Sequence, residues 1–134
     1  MKRWITIGVL GMILGSWLAP GGHGEPQTTL QDFMRVKLKH SQNVLQGLVL
    51  EDYDAIVKHS EAMSLLSLAE TWQVLQTPEY VEYSRKFRHA ADKLTDMAKK
   101  HNLEKSTIAF NEMTVKCVEC HKYVRGVRMA EAAK

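Results

Sequence analysis

Residues 103–127 read LEKSTIAFNEMTVKCVECHKYVRGV. Thr107, Phe110, Met113, Cys117, Cys120, His121 and Val124 recur every three or four positions, the spacing that lines up one face of an α-helix. Upstream, the same period continues with no strand-like alternation, and beyond Thr28 proline occurs only at Pro78. Thr77-Pro78-Glu79 is a helix start, a capping hydroxyl followed by proline at the first helical position. It opens a segment from Pro78 to about His101, with Tyr80, Tyr83, Phe87, Ala90, Ala91, Leu94, Met97 and Ala98 on one side. Asn102 is placed both to end that segment and to cap the helix after it. Before Thr77, a segment from Tyr53 to Gln76 buries Ile56, Val57, Ser60, Met63, Ser64, Leu68, Trp72 and Leu75. The first, from Thr29 to Leu50, turns Leu30, Phe33, Met34, Leu38, Ser41, Leu45 and Leu48 inward, with Arg35, Lys37 and Lys39 pointing elsewhere. Glu51 and Asp52 interrupt the two. Four amphipathic helices of similar length with short connections predict an all-α, antiparallel four-helix bundle.

Within the last helix stands Cys117-Val118-Glu119-Cys120-His121. Two thiols one helical turn apart can bond the two vinyl groups of one porphyrin, and the adjoining imidazole can bind its iron. A zinc site would need further ligands from distant positions, because the chain has only these two cysteines. A redox dithiol of the thioredoxin kind calls for a βαβ context, and no strand pattern exists. The motif therefore points to one covalent haem c, held through Cys117 and Cys120.

The other end of the chain agrees. Met1-Lys2-Arg3 precedes an apolar run from Trp4 to Ala19, then Pro20-Gly21-Gly22-His23-Gly24. A basic start, apolar middle and small-residue exit form a secretory signal peptide over 1–24, leaving a single domain over 25–134. The run is somewhat short of the ~20 residues of a membrane span, so membrane attachment would come only through an uncleaved signal. The predicted location is the periplasm. Losing Lys2 and Arg3 leaves 16 basic against 15 acidic side chains, a formal charge of +1 before haem propionates are counted. Nothing in that balance points to nucleic acid.

Residues 29–127 resemble a class II cytochrome c, the four-helix family of cytochrome c′ and its low-spin relatives, which carry haem on the last helix. The resemblance lies in the signal peptide, the helical pattern and Cys117-Val118-Glu119-Cys120-His121-Lys122-Tyr123-Val124-Arg125. An arginine often stands four residues after the ligand histidine in that family, and Arg125 takes that place. The aromatic residue usual just before it is displaced to Tyr123, with Val124 in its stead. Dimers through the first two helices are frequent in the cytochrome c′ branch; a homodimer here would draw on Val44, Val49, Leu65 and Leu66.

The residue facing the iron opposite His121 separates the functions the resemblance implies. In an up-down-up-down bundle the start of the first helix lies beside the end of the fourth, which favours Met34. Low-spin relatives bind iron through a methionine so placed. Met63 lies halfway along the second helix, Met97 near the far end of the third, and Met113 ~12 Å from His121 along their shared helix. His40 is turned roughly 240° from Met34. His59 begins the second helix at the wrong end, and His89 and His101 read as surface residues. A core methionine is by default only packing. With Met34 bound, the expectation is a one-electron carrier serving periplasmic redox proteins; with an open site, a five-coordinate haem protein that binds or senses nitric oxide or carbon monoxide. Peroxidase chemistry lacks a distal His or Arg on the inward stripe, so no enzymatic activity is expected. Phe33, Trp72, Tyr80, Tyr83 and Phe87 are expected to wall the haem, or simply to form core.

Overall fold

The structure, a computed structural model, describes residues 30–69, 75 and 77–133. It holds four helices and, among the described residues, no strand: α1 Leu30–Leu50, α2 Tyr53–Leu66, α3 Pro78–Lys99 and α4 Leu103–Ala132. The signal segment and Trp72 lie outside the described residues.

Local chemistry sets most of the boundaries. Asp52 caps α2 by accepting from the Ala55 amide (2.9 Å), and Thr77 caps α3 through the Tyr80 amide (3.2 Å), with Pro78 in the first turn. Asn102 caps α4 through the Lys105 amide at 2.9 Å. It does not also end α3. His101 does that, in the left-handed region (φ 51°), and Glu51 ends α1 the same way (φ 54°). The final residues continue α4 to Ala132.

Two expectations fail. α2 ends at Leu66, not Gln76, so the four helices are unequal. The chain tightens there: the Ser67 amide donates to both Met63 and Ser64 carbonyls, and Leu68 and Ala69 follow with short i→i+3 bonds. Leu68 is consequently exposed. The buried face of α1 also differs in part: Phe33 and Leu48 are buried as expected, but two residues not counted there join them. Lys37 and Val44 are buried, while Leu38 and Leu45 are more than half exposed. Val44, fully buried, is thus no part of an apolar surface, although Val49 and Leu65 are exposed. On α4, Thr107 is exposed and Ser106 and Ala109 turn inward instead.

Successive helices run antiparallel, as their cross-links show. His40 of α1 meets His59 of α2 while Lys37 reaches Ser67 just past α2; Ser60 of α2 meets Thr95 of α3 while Ser67 meets Arg88; Lys93 of α3 meets Glu112 of α4 while Thr77, which caps α3, meets Tyr123. This is compatible with a helical bundle. Gly47 permits the closest approach of α1 to α2, since a Cβ there would sit 2.9 Å from Ile56 Cγ1 and 3.1 Å from the Asp52 carbonyl. The core of Val44, Leu48, Ile56, Leu94, Ala91, Ala98, Ala109 and Met113 fills the end where α1 turns into α2 and α3 into α4. Alanines on α3 and α4 let those helices approach closely. α1 and α4, by contrast, meet far less than the other neighbouring pairs. A cavity opens in the gap between them. Among the described residues, no helix is long and apolar enough to cross a membrane.

Candidate functional site

A largely apolar cavity of about 530 Å³ opens between α1 and α4. That is within the ~300–1,000 Å³ range of sites that enclose a ligand of moderate size. α1 contributes Met34, Lys37, Leu38 and Ser41; α2 adds Met63; α3 supplies Tyr80, Ser84 and Phe87. From α4 come Cys117, Cys120, His121 and Val124, with Arg125 and Arg128. The five residues singled out in the sequence, Met34, Cys117, Cys120, His121 and Arg125, therefore share one cavity wall or another. Tyr80 and Phe87 join them, whereas Phe33 is buried outside the lining and Tyr83 packs on Tyr123.

The α4 wall is held in place from α3. Tyr123 exchanges a 2.7 Å hydrogen bond with Thr77, and its ring lies 5.3 Å from that of Tyr83. This anchors the turn that carries His121 and leaves Val124, one residue on, to face the cavity. Cys120 is buried and Cys117 half-buried, both as free thiols. Burial pushes both thiols above their usual range, only partly offset by the nearby Lys37 ammonium. A dithiol tuned for exchange needs the opposite shift, toward the thiolate.

His121 Nδ1 lies 2.7 Å from the Cys117 carbonyl, one turn back. A carbonyl can only accept, so Nδ1 donates, and Nε2 is the ring nitrogen this hydrogen bond leaves available. A metal-ligating histidine needs this arrangement: one nitrogen fixed by a hydrogen bond, the other available. Among the described residues no group of three or more His, Cys, Asp or Glu side chains converges to hold a metal ion.

Lys37 escaped the sequence reading. It is 7% exposed, donates to Ser67 Oγ at 2.8 Å, and its Nζ lies 3.6 Å from the centre of the Phe87 ring. Desolvation lowers its pKa to about 7, against the opposing pull of Cys117 and Cys120. A signal did exist: Phe33, Lys37, Val44 and Leu48 are themselves helically spaced. The charge of Lys37 argued against counting it. Arg128, one turn beyond Arg125 on the lining, was likewise not singled out.

Comparison with known proteins finds no matching family model, no matching curated relative and no matching solved structure.

Proposed function

We propose that this chain is an exported c-type cytochrome, a one-electron carrier whose single haem is bound covalently in the cavity between α1 and α4. One observation carries the reading: two thiols one turn apart, an imidazole with its Nε2 lone pair available, and a thioether from the facing helix line the same apolar cavity. The donor set fits the group. Cys117 and Cys120 supply the thiols for two thioether links, His121 a neutral nitrogen, and Met34 a soft sulfur. Rival uses of the cysteines fit less well. Their raised pKa values disfavour a reactive dithiol, and a closed zinc site would need ligands from outside the described residues.

When bound, such a haem supplies a reversible one-electron iron couple. The chain's own residues do the rest. The Cys117 carbonyl orients His121, and Met34 would offer the iron a soft sulfur that favours the ferrous state and raises the potential. Tyr80, Phe87, Met63 and Val124 keep water from the cavity walls. Arg125 and Arg128 supply guanidinium groups suited to pairing with carboxylates. Periplasmic redox proteins are the proposed partners, and the chain performs no catalysis of its own. Export through the N-terminal segment belongs to the same proposal, because this attachment chemistry is carried out outside the cytoplasm in bacteria.

A redox titration of the purified protein beside Met34→Ala tests it. The expected result is a lower midpoint potential in the variant, with carbon monoxide binding gained. Equal potentials, and carbon monoxide binding already present in the unmodified protein, would instead favour the five-coordinate gas binder.

A further inference from the structure

His40 and His59 lie apart from the apolar cavity, each half-buried, one on α1 and one on α2. Their Nδ1 atoms are 2.9 Å apart, with ring centres 5.1 Å apart and planes tilted by 49°. Two Nδ1 atoms at that distance cannot both carry protons, so at least one lone pair faces the gap. Both helices are rigidly joined just beyond, where the Asp52 amide donates to the Gly47 carbonyl at 2.9 Å and Ile56 packs against Gly47. The turn thus fixes the register of α1 against α2 that brings the two rings together.

We infer that His40 and His59 form a two-histidine clamp between α1 and α2 for a divalent transition metal, copper or nickel by preference. The spacing decides the preference. With metal–nitrogen bonds of about 2.05 Å, two nitrogens 2.9 Å apart subtend roughly 90° at the ion. That is the angle of neighbouring positions in a tetragonal copper or nickel site. A tetrahedral zinc ion would ask the nitrogens to part to about 3.3 Å. Imidazole nitrogen also suits these ions, and copper is bound most strongly in the divalent series. On binding, the ring that donated its Nδ1 proton shifts it to Nε2, so that both Nδ1 lone pairs meet the ion. Water completes the coordination.

The surroundings temper the affinity. Lys39 and Lys58 bring positive charge near the rings, with Asp52 the opposing carboxylate. Burial lowers the pKa of both imidazoles, helped by the His59 ring and Lys58 at His40 and by Lys58 and Lys39 at His59.

The full chain, titrated with copper(II) chloride and followed by calorimetry and electron paramagnetic resonance, tests the site beside His40→Gln, His59→Gln and the surface control His89→Gln. One ion per chain is expected, with an axial tetragonal signal split by two nitrogens. Because even outer-shell partners of a metal are worth 10–100-fold, each of the first two variants should lose about tenfold or more in affinity. The control should lose none. Unchanged binding in both variants, or an equal loss in His89→Gln, overturns the clamp. If either variant loses its helical circular dichroism, the wild-type signal decides alone: any nitrogen count other than two refutes it. Free Cys117 and Cys120 thiols would take up copper on their own, so the clamp is read from the loss confined to His40→Gln and His59→Gln, which leave that cavity untouched.

Discussion

Replacing Lys37 by methionine keeps most of the buried stem and removes only the amine. In the native chain that amine titrates near 7, against 10.5 for an exposed lysine, because burial penalises its charge. The unfolded chain therefore binds more protons than the folded one between those values, and stability rises with pH across the interval. Below pH 6 both states are protonated and the slope vanishes. Working the linkage through with these two values gives a gain of about 2 kcal/mol for wild type between pH 6 and pH 8.5. Lys37→Met lacks this term; titrations remote from it are common to both proteins and cancel, and the coupled Cys117 and Cys120 thiols are held by burial above their usual range. The variant should thus be more stable than wild type by a margin that shrinks by about 2 kcal/mol over that range. Ser67 loses a donor but keeps its own hydrogen bond to the Met63 carbonyl at 2.9 Å, so no buried hydroxyl is stranded. Urea unfolding followed by circular dichroism at pH 6, 7 and 8.5 measures the margin. A constant margin, or one that widens with pH, would refute the buried, pKa-depressed amine.

Ser60 and Thr95 share a 2.6 Å hydrogen bond between α2 and α3. One hydroxyl donates and the other accepts while giving its own proton to a carbonyl of its helix, Ile56 for Ser60 or Ala91 for Thr95. Either alanine variant should cost about 1 kcal/mol, and a double-mutant cycle in urea should return a coupling of about 0.5 kcal/mol or more. Gly47→Ala should lower the thermal midpoint even though alanine is the better helix former. The added methyl meets Ile56 and the Asp52 carbonyl, and overpacking of about 1–3 kcal/mol outweighs the ~1 kcal/mol of helix propensity. A raised midpoint would show that α1 and α2 can part without cost.

How far the fold was legible depends on the kind of signal. Caps were read where a side chain and a proline announced them, as at Thr77-Pro78 and Asn102, because that chemistry is local. The end of α2 was missed because nothing in Ser67-Leu68-Ala69 breaks a helix by itself; the close i→i+3 bonds there are a property of the folded packing. The α1 face was misread because a lysine was assumed to seek water. Lys37 is instead buried, with a serine hydroxyl and an aromatic face as partners. That Cys117, Cys120 and His121 share one stretch of the cavity lining was legible from their helical spacing, and that Met34 lies on the same lining followed from the order of the helices. The contact between His40 and His59 was not legible, since it depends on the register between two helices, which Gly47 and the Glu51–Asp52 turn set only in three dimensions.

The central claim is a covalent haem ligated by His121 and Met34, and the visible absorption spectrum of the purified protein tests it most directly. It should be recorded oxidised, reduced, and reduced under carbon monoxide. Sharp, split bands on reduction, a sulfur-to-iron charge-transfer band when oxidised, and no change with carbon monoxide are expected. Broad high-spin bands that shift with carbon monoxide would contradict Met34 as a ligand. A spectrum with no haem bands at all would contradict the whole reading of the cavity.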